Sequence, residues 1–71
     1  MPYANNDDLP PPVRDHLPEH AQDIFREAFN HAHSQHKGDP RQEEAAFRIA
    51  WAAVERRYRK DTDRWVPKDG F

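Results

Sequence analysis

Between Ala21 and Ala32 the apolar residues Ala21, Ile24, Phe25, Ala28, Phe29 and Ala32 recur at i, i+3, i+4, i+7, i+8 and i+11. That spacing places them on one face of an amphipathic helix. Pro18 suits the first turn of this helix, where a missing N–H costs nothing, and Glu19 and Asp23 lie near the positive end of its dipole. His33, His36 and Lys37, then Gly38, fit its far end. Asp39 can cap a second helix with Pro40 at its first position and Glu43 and Glu44 in its first turns. A helical hairpin is the expectation.

The second helix, about Pro40 to Arg59, is apolar over more than half its circumference. Ala46, Ile49, Ala50 and Ala53 form one side and Phe47, Trp51, Val54 and Tyr58 the other, so it needs cover from two directions. Only the chain ends remain to supply the second cover. A short helix around Pro12 to His16, with the segments around Tyr3 and Trp65, is expected to close the core. Arg64-Trp65-Val66 reads as a strand confined to an edge by Pro67, and is expected to pair with Pro2-Tyr3-Ala4.

The dipeptide Leu-Pro occurs at Leu9-Pro10 and again at Leu17-Pro18. A residue before proline is pushed out of the helical region, so Leu17 should end the short helix and Pro18 start the long one. Each leucine then sits at a corner and can pack back under the turn. The fold expected is mainly α, a small single domain spanning 1–71 with 1–8 and 67–71 partly flexible. It has a short N-terminal helix, two longer helices in a hairpin, and a short two-stranded sheet from the chain ends.

Composition narrows the chemistry. A chain of 71 residues without cysteine has no disulfide or thiolate to hold it, so apolar packing must do so. MPYANNDD has no basic segment leading into an apolar run, and no apolar stretch approaches the roughly 18 residues of a membrane span. The chain reads as a cytoplasmic, unprocessed, non-spanning protein, expected to be monomeric. The net charge of −2 is unevenly spread, acids prevailing before Arg41 and bases after it.

Five histidines invite a metal reading, but Pro18 interrupts His16 and His20, and no third ligand completes His33 and His36. Weak Ca2+ or Mg2+ binding would fall to Asp39, Glu43 and Glu44, which lack the alternating acids and turn glycine of a dedicated loop. Ser34 is the lone serine and no glycine-rich loop exists, so no enzyme activity and no cofactor are expected. The run ERRYRK carries an alternative, nucleic-acid binding through Arg56, Arg57, Arg59, Lys60 and Arg64 with Tyr58 stacking on a base. Against it, Tyr58 fits the helix core, and the arginines suit a solvated helix end. Trp51 and Trp65 read as core rather than as ligand-stacking residues.

The order DLP, HLPEHAQDIFREAFN, AWAAV and then Trp65 closely resembles the ChaB family of bacterial cation transport regulators, from about Pro2 to Trp65. The resemblance implies a small, mainly helical protein with a short two-stranded sheet and a cyclin-box-like helical core. It also implies a regulatory protein-interaction module whose partner is a membrane sodium or calcium/proton antiporter. Relatives in viral genomes without such an antiporter imply a more general role. Some members carry a longer, highly charged loop between the main helices; here that connection is only SQHKGDPRQEE.

Overall fold

The computed structural model describes residues 3–68. A 3-10 turn at Asn6–Asp8 leads into α1 (Pro11–His16), α2 (Glu19–Gln35), α3 (Gln42–Arg57), β1 (Tyr58–Asp61) and β2 (Arg64–Pro67). It is a mainly helical small domain of three helices and a two-stranded antiparallel sheet. No helix among the described residues is long and apolar enough to cross a membrane.

Both Leu-Pro corners form as the backbone rule requires. Leu9 (φ −65°, ψ 150°) and Leu17 (φ −103°, ψ 137°) are extended, and each precedes a proline at the head of a helix. Pro18 takes the capping position of α2, one residue before its first turn. Gln22 Nε2 braces the second corner by donating to Leu17 O at 2.8 Å and to Arg14 O at 3.0 Å. Carbonyls that the end of α1 would leave open are thereby satisfied. The leucines themselves enter the core with Val13, Ala21, Phe25, Phe29, Ala46, Ala50, Val54 and Tyr58.

Residues 3–8, expected to be partly flexible, are tied to α2 at two places. Asn30 grips the backbone of Tyr3 on both sides, accepting from its N–H and donating to its carbonyl, each at 2.8 Å. Asn6 donates to Asp23 at 2.7 Å and accepts from Arg26 Nε at 2.9 Å. These bonds overturn the expected pairing of Tyr3-Ala4 with Arg64-Trp65-Val66, because the backbone groups a strand would use at Tyr3 are already engaged; Pro2 lies outside the described residues. The partner of β2 is the adjacent β1, in the register Tyr58↔Pro67, Arg59↔Val66, Lys60↔Trp65 and Asp61↔Arg64.

Three further expectations are corrected. Asp39 does not cap the second long helix at Pro40; its carboxylate accepts from Arg41 N–H at 2.8 Å, closing a turn over Pro40, and α3 begins at Gln42. The helix stops at Arg57 rather than Arg59, since Tyr58 (φ −129°, ψ 154°) is already extended, though still buried. Ile49 is 37% exposed rather than core. It is turned by about 100° from Ala50, off the Ala46–Ala50–Val54 ridge that carries the buried surface of α3.

The two-residue connection Thr62-Asp63 holds Thr62 at φ 62°, a conformation β-branched residues rarely adopt. Thr62→Gly should therefore raise stability by about 1 kcal/mol, the relieved strain exceeding the added entropy of unfolded glycine. Urea denaturation checks this; a stability loss would show that the turn carries no strain.

Candidate functional site

The basic run that looks continuous in sequence is divided by the change from helix to strand at Tyr58. Alternation along β1 sends Tyr58 and Lys60 to one face of the hairpin and Arg59 to the other. Lys60 and its partner Trp65 border a hollow of about 300 Å3 with Pro12, His16, Trp51 and Glu55. Arg59 and Arg64 share the opposite face with Asp61 and Val66. Arg56 and Arg57 belong to neither and line a groove with Ile24, Glu27, Ala28, His31 and Ala53. Five cations on three surfaces do not make the single stripe that tracks a phosphate backbone.

The acids of the helix connection do come together in part. Asp39, Glu43 and Glu44 border one shallow hollow with His33, Pro40, Arg41 and Gln42. The Asp39 carboxylate is engaged by the Arg41 N–H, and Gln42 Nε2 donates to His33 O at 2.6 Å. Among the described residues no group of three or more His, Cys, Asp or Glu side chains is placed to hold a metal ion. The histidine pairs likewise diverge. His20 Nδ1 meets the Tyr58 hydroxyl at 3.0 Å, His16 Nδ1 lies 3.4 Å from Asp63 O, His36 Nδ1 lies 2.9 Å from Ala32 O, and His33 stacks on Phe29.

Beside that hollow, Tyr3 packs on Phe29 with ring centroids 4.8 Å apart. Burial, and secondarily the charge of Glu43, raise the Tyr3 hydroxyl above its ordinary value. A folded-state value above the unfolded one means the folded protein holds the phenol proton more tightly. The associated stability is complete below about pH 10 and is lost as pH rises through the folded value. Tyr3→Phe should flatten this alkaline loss in denaturation measured across that range; an unchanged loss would assign it to other groups.

Trp51 and Trp65, expected in the core, are only half-buried. Their rings lie 5.6 Å apart, tilted by 30°, and Trp51 presents its other side edge-on to Phe25 at 5.1 Å. The hairpin brings Trp65 there because Lys60↔Trp65 faces α3. The sequence signal that could have located this aromatic hollow is the period of two across Tyr58, Lys60 and Trp65, which becomes visible once the turn at Thr62-Asp63 is recognised.

Comparison with known proteins gives one consistent picture. The family model described as ChaB matches residues 9–68. A curated relative from Escherichia coli K12, named "Putative cation transport regulator ChaB", is 48% identical over 75 aligned residues, covering 96% of this chain and 99% of its own length. A Shigella flexneri protein of the same name matches to the same extent, 48% over 75 residues. Among solved structures, the "NMR solution structure of the putative cation transport regulator ChaB" is similar with a TM-score of 0.83 and 47% identity, covering 96% of this chain and all of its own.

Proposed function

Because this chain belongs to the ChaB family, we propose that it is a non-enzymatic, cytoplasmic regulatory module that binds a membrane sodium or calcium/proton antiporter and alters its cation response. The observation that carries this reading is the near end-to-end match, at 48% identity, to relatives named as cation transport regulators. The structure adds surfaces suited to contact. Trp51 and Trp65 offer half-exposed aromatic area, and tryptophan is among the residues that dominate protein–protein affinity.

A regulator acts through a coupling free energy between its own binding and that of the cation. Everted membrane vesicles carrying the antiporter, titrated with Na+ or Ca2+ while proton efflux is followed by a pH-sensitive dye, test for it. Saturating protein should shift the half-maximal cation concentration by about fivefold or more. Unchanged exchange in the vesicles, together with unchanged sodium and calcium tolerance when the protein is deleted from the cell, would reject the antiporter role.

A further inference from the structure

The register of the hairpin fixes which backbone groups its outer edges present. With two residues in the turn, Asp61↔Arg64 and Arg59↔Val66 are the pairs that exchange backbone bonds, and Lys68 N–H donates to Arg57 O at 3.0 Å as the next of the series. Trp65 belongs to a pair that exchanges none, so its N–H and C=O point away from β1. Neither finds a partner among the described residues. Pro67, the next outward position of β2, has no N–H and offers its C=O alone.

We propose that the free edge of β2 is a docking site for a short, acidic, extended segment of a partner protein, which adds to the hairpin as a third, antiparallel strand. The first reason is the edge itself. Unpaired backbone groups along an exposed strand are a template for another strand, and main-chain bonds meet them whatever side chains the newcomer carries. A docked helix, its own backbone bonds satisfied, would make no use of them. In antiparallel addition one partner residue, opposite Trp65, fills both of its bonds, and the residue opposite Pro67 donates to the Pro67 carbonyl. The missing N–H of Pro67 limits the ladder there, which confines the added strand to about five residues.

The second reason is charge. Alternation along β2 puts Arg64, Val66 and Lys68 on the face away from α3, with Trp65 on the other. Arg64 and Lys68 are exposed and make no ion pair among the described residues, while Val66 between them is half-buried. Asp61, the acid of this face, stands on β1, one strand further from the added segment. Residues directly opposite on neighbouring strands come within about 5 Å at Cβ, so the segment should carry acids opposite Lys68 and Arg64 and a β-branched residue opposite Val66. In its own direction it therefore reads acid, any residue, β-branched, apolar, acid, and the apolar residue lies beside Trp65 on the side of the Trp51 hollow. A phosphate backbone carries no N–H for the carbonyls of Trp65 and Pro67. The inference does not depend on which protein supplies the segment, so it and the antiporter reading fail separately.

The test uses the full chain, labelled with 15N, and synthetic peptides built on the order glutamate, threonine, valine, tyrosine, glutamate. A second peptide replaces both glutamates by lysine. The glutamate peptide should shift the amide resonances of Trp65 and Val66 saturably and slow hydrogen exchange at Trp65, and the lysine peptide should bind at least about tenfold more weakly. N-methylation of the peptide tyrosine removes the N–H that meets the Trp65 carbonyl and should cost about tenfold in affinity, whereas N-methylation of the valine, whose N–H points outward, should cost little. The double variant Arg64→Gln, Lys68→Gln alters exposed side chains only and should keep a folded spectrum while losing about threefold or more in affinity.

Equal binding of the glutamate and lysine peptides would overturn the charge argument, and equal effects of the two N-methylations would overturn strand addition. Shifts centred on Lys60 without Trp65 would overturn the choice of edge. No saturable shift, concentration-dependent loss of the Trp65 and Val66 resonances without peptide, or stronger shifts of the same residues by single-stranded DNA or by anionic phospholipid vesicles would each overturn the assigned occupant.

Discussion

Phe25→Ala is expected to remove about 3–5 kcal/mol of stability, which is most of what a domain of this size possesses. Phe25 is fully buried, 0% exposed, and stands where the two long helices and their aromatic cover meet. Its ring contacts Trp51 edge-on at 5.1 Å, Phe47 at 6.0 Å and Phe29 at 6.3 Å. Removing it leaves a void walled by side chains fixed on two helices, and such walls collapse only in part. The lost ring contacts add to the transfer term. Trp51→Ala should cost less despite the larger side chain, because one side of that ring already faces an open hollow.

Thermal melts followed by far-UV circular dichroism provide the measurement. Each kcal/mol lowers the midpoint of so small a domain by about 4–8 °C, so Phe25→Ala should melt at least about 12 °C below the parent, or be unfolded at room temperature. Phe25→Leu should recover most of the difference by refilling the volume. A loss under about 1 kcal/mol for Phe25→Ala would mean that the aromatic cluster is not the centre of the fold.

Helix α2 was legible in the sequence because its buried residues Ala21, Phe25, Phe29 and Ala32 form a single stripe, and a single stripe has one possible period. The Leu-Pro corners were legible for a different reason, since the restriction before proline is local and holds whatever surrounds it. The end of α3 was not legible. Trp51, Val54 and Tyr58 continue helical spacing across the boundary, and Tyr58 stays buried as a strand residue just as it would as a helical one. Burial alone therefore does not mark where the helix stops.

The hairpin was hidden by its turn. Thr62-Asp63 has neither the glycine nor the asparagine that advertises a two-residue turn, and KDTDR reads as a polar loop. The placing of Arg59, Lys60 and Trp65 depends on that turn. With the turn in place, Arg59 and Lys60 separate to opposite faces and Trp65 is carried back onto Trp51. The Asp39, Glu43 and Glu44 cluster was visible as composition, but its geometry depended on the turn closed by Arg41 N–H, which composition does not encode.

Leu9→Ala is the second large loss expected, about 3 kcal/mol, and it tests whether the N-terminal corner belongs to the cooperative fold. Leu9 is 2% exposed and among the largest fully buried side chains, although it lies outside any regular helix or strand. The backbone around it has little freedom to settle into the vacated space. Pro10, Pro11 and Pro12 fix the chain on one side, and on the other Asn6 is bonded to Asp23 and Arg26 while Leu9 N–H donates to Asn6 O at 3.1 Å. A cavity held open in this way falls at the costlier end of its class.

Because α1 hangs between the two leucine corners, losing either should loosen it, and Leu17→Ala is expected to cost a similar amount. In urea, Leu9→Ala should lower the midpoint equally by tryptophan fluorescence, reported by Trp51 and Trp65, and by far-UV circular dichroism, which follows the helices. If the fluorescence and helical transitions stay at the parent midpoint while only the amides of residues 3–9 lose exchange protection, the segment frays on its own and the corner is a local device. Coincident, lowered transitions instead make Leu9 a core residue supplied by the chain end, the cover that the aromatic side of α3 requires.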